Sequence, residues 1–125
     1  MTLDVLPGSF AICRLSADAS LPSWASGAAF SSVTRTPHEL SILCDGEAVP
    51  ADVEAQREFR ALMVRGPLDF SLTGILAALA GTLAAAAVSI FPVSTYETDY
   101  LFVRSVDLNR SIAALRAAGH TVIDV

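Results

Sequence analysis

Between Asp69 and Glu97 the chain carries no charged residue. A stretch this long is either a membrane span, which needs about 20 apolar residues, or a set of elements packed around a core. The distribution of bulk decides between them. Leu72, Ile75, Leu76, Leu79 and Leu83 recur at helical spacing on one face, while Thr73, Gly74, Ala77, Ala80, Gly81, Thr82 and Ala84 fill the rest. Lipid would favour bulk all round. Past Ala87 the residues turn β-branched and aromatic (Val88, Ile90, Phe91, Val93), which suits a strand. No cluster of basic residues flanks either end, so the orientation signal of a membrane span is missing. The stretch reads as a one-faced helix followed by a strand, and no membrane is expected as a partner.

The surrounding sequence extends this pair of elements. Residues 59–65 read as a strand that Gly66-Pro67 ends, and Asp69 or Ser71 as the cap of the helix, which reaches about Ala87. Residues 88–94 and 100–104 read as strands joined by the polar stretch 95–99. Asp107 then caps a helix carrying Leu108, Ile112 and Leu115 on one face, Gly119 ends it, and residues 120–125 close the order. This βαββαβ succession is the ferredoxin-like arrangement of an α+β fold, with two helices on one face of an antiparallel sheet. The first half carries a weaker version: strands at 10–15, 30–34 and 40–44, with a short turn around Leu21 to Trp24 in place of the first helix. A shift of about sixty residues lays Val33-Thr34 on Val93-Ser94, Glu39-Leu40 on Asp99-Tyr100 and Ile42-Leu43 on Phe102-Val103. The acidic linker 47–58, with Pro50 near a helix start, marks the expected boundary between an N-terminal unit, 1–58, and a C-terminal unit, 59–125.

The side chains that common catalysis needs are scarce. Eight basic residues stand against thirteen acidic ones, a net charge of -5, which argues against nucleic acid as a partner because phosphate binding needs clustered basic residues. Cys13 and Cys44 lie in apolar runs and read as buried, reduced thiols of a cytoplasmic protein. Asp4 and Pro7 interrupt any export signal. His38 and His120 flank strands, no Cys/His spacing suits zinc, and no glycine-rich phosphate loop is present. No catalytic residue, metal or cofactor is expected, and the chain is read as no enzyme. A small hydrolase using Cys13 or His120 is the disfavoured alternative.

What remains suits a zwitterion. The helix start at Thr73, Gly74 and Ile75 offers free N–H groups and positive partial charge to a carboxylate. Asp99 offers a partner for an ammonium, assisted by Ser94 and Thr95, and Tyr96 could cover the ligand's apolar part. The plainer reading of the same residues is that Gly74 permits close helix packing, Thr98 and Asp99 are turn residues, and Tyr96 sits at an interface. The protein would then be an interaction or oligomerisation module without a small ligand.

Six segments resemble the ACT-domain family: Phe10-Ala-Ile-Cys-Arg-Leu15, Leu21-Pro-Ser-Trp24, Ser32-Val-Thr-Arg-Thr36, Glu39-Leu-Ser-Ile42, Gly66-Pro-Leu-Asp-Phe-Ser-Leu-Thr-Gly-Ile-Leu76 and Ser94-Thr-Tyr-Glu-Thr-Asp-Tyr100. They are most similar to the small bacterial two-ACT proteins related to the CASTOR-type cytosolic arginine sensors of animals. The resemblance implies two tandem ferredoxin-like units, the N-terminal one abbreviated. It also implies a non-catalytic regulatory protein that binds an amino acid or similar effector where domains pair, as a homodimer. Gly74, Ile75, Thr95, Tyr96 and Asp99 match the relatives' pocket segments in type and position. Ala77 and Ala78 supply no second carboxylate for a guanidinium, so a small neutral amino acid suits the alanine-rich surroundings better than arginine, although Glu97 could replace that charge.

Overall fold

Leu3 and Val5 alternate with Thr2 and Asp4, and this short pattern forms the first strand, β1 (Thr2–Val5), with both apolar side chains buried. The computed structural model describes residues 1–26, 29–69 and 73–124. Seven further strands follow: β2 (Phe10–Leu15), β3 (Ser32–Arg35), β4 (Leu40–Asp45), β5 (Ala55–Val64), β6 (Phe91–Ser94), β7 (Asp99–Arg104) and β8 (Thr121–Ile123). The two α-helices are α1 (Ile75–Ala85) and α2 (Leu108–Ala117), and single 3-10 turns lie at Ser23–Ala25, Gly46–Ala48 and Ser105–Asp107.

The chain divides into two units: Gly8–Phe59, and Met1–Pro7 together with Arg60–Val125. The first seven residues, expected with the N-terminal unit, therefore lie with the C-terminal one. The cause is strand pairing. β1 is antiparallel to β5, with Leu3 opposite Val64, and parallel to β8, with Leu3 opposite Val122. β7 pairs with both β5 and β6. The C-terminal unit thus has the strand order β6-β7-β5-β1-β8, the βαββαβ order with β1 inserted between its first and last strands. Its core joins Leu62, Val64, Leu101 and Val103 of the sheet to Leu79 and Leu83 of α1 and Ile112 and Leu115 of α2.

The N-terminal unit runs β2, a 3-10 turn, β3, β4, a second 3-10 turn and the first half of β5. Its order, β3-β4-β2-β5, is the same four-strand order with both helices reduced to single turns. Its core is correspondingly small: Ala11, Cys13, Ala25, Leu40, Ile42, Cys44 and Val49, with Trp24 packed against them.

The division at 59/60 lies one residue from the expected one at 58/59, but the segment 47–58 is no mere linker. β5 runs through it, residues 55–59 serving as the last strand of one unit and residues 60–64 as the first strand of the next. Glu58, at φ 63°, supplies the bulge between the Phe10–Phe59 and Ile12–Gln56 pairs. No helix starts at Pro50; the Arg57 guanidinium instead holds the carbonyl of Pro50 at 2.8 Å. Two other expectations shift. The strand expected from Val88 begins at Phe91, because Ala87 turns to φ 61° and the Val88 amide stays bonded to Leu83 of the helix end at 2.9 Å. Asp107 stands at the start of α2, but its carboxylate accepts from Arg110 at 2.8 Å and caps no backbone group. Among the described residues no helix is long and apolar enough to cross a membrane.

Candidate functional site

In the C-terminal unit, the start of α1 and the β6–β7 turn face each other across a cleft of about 230 Å³. The helix begins later than the sequence suggests. Its N-cap is Gly74, left-handed at φ 79°, rather than Asp69 or Ser71, and Ser71 lies outside the described residues. A Cβ at Gly74 would meet nothing within 4 Å, so the glycine is required by its backbone conformation and not by close packing. Gly74 itself has no side chain to cap the helix, and the first turn contains no acidic residue. The first intrahelical bond runs from the Ala78 amide to the Gly74 carbonyl at 2.9 Å. The amides of Ile75, Leu76 and Ala77 precede it and point towards the helix N-terminus, where anions are favoured.

The opposite wall is a turn closed by its own hydrogen bonds. The Thr95 amide donates to the Thr98 carbonyl at 2.8 Å, and the Thr98 amide donates to Thr95 Oγ1 at 3.4 Å. Thr98 is itself buried, and its hydroxyl donates to the Val64 carbonyl, tying the turn to β5. The Leu68 amide donates to the Glu97 carbonyl at 2.7 Å, tying the turn to the loop before α1. That crossing is tight, since a Cβ on Gly66 would lie 3.1 Å from the Leu68 nitrogen and 3.2 Å from the Glu97 oxygen. At the strand ends Ser94 and Asp99 pair across the ladder, and the Ser94 hydroxyl donates to Asp99 Oδ1 at 2.6 Å.

Of the seven residues singled out from the sequence, Gly74, Ile75, Ser94, Thr95, Tyr96 and Asp99 line this cleft, and Thr73 is exposed beside it. Tyr96 is 83% exposed at the rim. Leu76, Ala77, Glu97 and Thr98 also line the cleft and fall within the segments 73–77 and 94–99 that the resemblance implies, though it does not single them out; Asp69 reads as a helix cap from the sequence, and Leu68 is missed. The polar loop composition at 95–99 signalled Thr98, whereas nothing local marks Leu68, which the turn's own carbonyl draws in.

Among the described residues three carboxylates (Asp69, Glu97, Asp99) and no basic side chain line the cleft, and the positive end of the helix dipole faces them. No histidine or cysteine reaches it. Among the described residues no group of three or more His, Cys, Asp or Glu could hold a metal ion. Cys13 and Cys44 are buried free thiols in the N-terminal unit, and burial raises both pKa values, that of Cys44 to about 11. Burial thus favours the neutral thiol over the nucleophilic thiolate at both positions. His120 Nδ1 lies 3.3 Å from the amino group of Met1, far along the sheet order from the β6–β7 turn.

These features define a ferredoxin-like α+β unit with a small polar cleft between a helix start and a hairpin turn. A sequence model of the ACT domain matches residues 54–117, and the chain belongs to the ACT-domain family. A second family model, of an N-terminal domain, matches residues 8–52. A solved protein of Agobacterium tumefaciens is 40% identical over 99% of this chain and 92% of its own, with a TM-score of 0.94. A Vibrio cholerae protein of unknown function, described as a possible transport protein, is 20% identical over 93% of this chain and 88% of its own, with a TM-score of 0.73. The ligand-free regulatory subunit of aspartate kinase from Thermus thermophilus shares the fold at 10% identity, over 90% of this chain and 93% of its own, with a TM-score of 0.63. No curated protein matches the chain.

Proposed function

We propose that this protein is a non-catalytic regulatory protein that binds a small free amino acid in the cleft between Gly74 and Asp99. The observation that carries the reading is the pairing of a helix N-terminus that opens on Gly74 with the Ser94–Asp99 pair across a gap of about 230 Å³. The helix amides receive the ligand's α-carboxylate, as helix N-termini receive anions generally. Asp99 receives its ammonium, with the Ser94 hydroxyl holding the carboxylate in place. The volume lies below the roughly 300–1,000 Å³ of drug-sized sites, and Ala77 in the wall favours a small side chain. The likeness of the pocket segments to those of CASTOR-type sensors supports an effector role in the cytoplasm. It also supports a homodimer, in which a second copy would cover the exposed ring of Tyr96.

A thermal-shift screen with the twenty standard amino acids tests the reading. A ligand that binds only the native state stabilises it by about 2.7 kcal/mol at a hundredfold excess over Kd, so at least one amino acid raises Tm and Asp99→Ala abolishes the rise. If no amino acid shifts the wild type, or Asp99→Ala responds equally, the cleft is not an amino-acid site and the interaction-module reading takes its place.

A further inference from the structure

The β3–β4 and β6–β7 hairpins share one register. The first ends on the pair Arg35–Leu40 and the second on Ser94–Asp99, and each is closed by a threonine in the same role. The Thr36 amide donates to the Glu39 carbonyl at 2.9 Å and the Glu39 amide to Thr36 Oγ1 at 3.2 Å, as Thr95 and Thr98 do in the second turn. Arg35 therefore stands where the C-terminal unit has Ser94, and the buried Leu40 stands where it has Asp99.

The consequences differ. In the C-terminal unit the two short polar side chains bond to each other and leave a gap to the loop before α1. In the N-terminal unit the Arg35 guanidinium spans to the corresponding loop, between β2 and the turn at Ser23–Ala25. Nη2 donates to the Ala19 carbonyl at 2.8 Å and Nη1 to the Ala17 carbonyl. The loop is folded to present these oxygens: the Ala19 amide returns to the Ser16 carbonyl at 3.0 Å, and the Ser16 hydroxyl donates to Asp18 Oδ1. A planar fork with fixed donors suits two neighbouring carbonyls better than a lysine would.

We propose that Arg35 is a strap closing the N-terminal counterpart of the cleft, that the short Ser94 at the same strand end keeps the C-terminal cleft open, and that each chain therefore offers one site. The nature of the ligand rests on the reading given under Proposed function; the strap does not. Hydrogen exchange of the ligand-free protein tests the strap alone: Arg35→Ser speeds exchange in residues 16–25 by about tenfold, the size expected when local hydrogen bonds stop resisting opening. Unchanged exchange there overturns the strap.

Calorimetry with whichever of the twenty amino acids raises the wild-type Tm most tests the selection. The wild type and Arg35→Ser each bind one equivalent, because Leu40 offers an ammonium no carboxylate even when the strap is gone. Ser94→Arg, a change at an exposed strand end, retains its circular dichroism and binds at least about a hundredfold more weakly. Two equivalents in the wild type, or wild-type affinity in Ser94→Arg, refutes the proposal. If no amino acid binds the wild type, the functional reading fails and the exchange result alone decides whether the strap exists.

Discussion

The two units share a strand order and a hairpin turn, yet one surrounds its sheet with leucine-bearing helices and the other with single 3-10 turns. The difference lies in the connections. In the C-terminal unit α1 contributes buried Leu79 and Leu83, and its first amides precede the intrahelical bonds at the edge of the cleft. In the N-terminal unit Ser23–Ala25 buries only Ala25, and a turn of three residues has no comparable terminus. The same strand order can therefore carry a helix-walled cleft or a small sheet closed by short turns, depending on what lies between its first two strands.

The largest effect that could break this comparison is a core truncation. Leu79→Ala is expected to cost about 2–5 kcal/mol, read from the urea midpoint, whereas Ala25→Gly in the N-terminal unit costs about 1 kcal/mol or less. Equal costs would mean that the two cores are not of different weight. Next comes the anchoring of the turns. Thr98→Val removes the donor to the Val64 carbonyl and is expected to cost about 1–3 kcal/mol. Glu39→Val, at the same turn position and only half-buried, stays within about 0.5 kcal/mol, and similar losses would show that the turns are anchored alike.

Thr36→Val and Thr95→Val sharpen the shared part of the comparison. Each loses one set of turn bonds, and each is expected to cost about 0.5–1.5 kcal/mol by equilibrium unfolding; a difference beyond that range would separate the two turns. The smallest effects are electrostatic. The Arg65 guanidinium beside Asp4 in the C-terminal unit holds the Asp4 carboxyl below its usual range. Stability from this pair is present above the ordinary carboxyl pKa and lost as pH falls through the lowered value. NMR titration of Asp4 is expected to shift upwards in Arg65→Ala. In the N-terminal unit the sign reverses at alkaline pH: Cys44 stays protonated to about 11 when folded, so stability falls as pH rises from the ordinary thiol range towards that value. Cys44→Ala is expected to flatten this alkaline limb.

Much of the fold is legible in local patterns. β2 and β4, read as short apolar runs, and α2, read from its 3.6-residue spacing, match to within about one residue. The β6–β7 turn is also legible, because its polar residues interrupt apolar strands. β1 is not: Thr2–Val5 is too short to show a period, and it becomes a strand by pairing with β5 and β8. The acidic run before Phe59 looks like a linker because its outward residues are charged, although its backbone continues β5. The repeat is visible but slipped. The hairpin registers relate the units by Thr36 to Thr95 and Leu40 to Asp99, one residue from the match that the sequence suggests, and a one-residue slip exchanges the faces of every strand.

From the sequence alone it follows that the chain forms one-faced helices and apolar strands, and places Gly74 and Asp99 in segments able to face each other. These properties follow from side-chain chemistry and spacing within a few residues. Tertiary structure decided which strand neighbours which, where α1 starts, and that Arg35 reaches the Ala17 and Ala19 carbonyls while Ser94 turns to Asp99. Those outcomes depend on register between residues far apart in the chain, and local periodicity carries no information about that register.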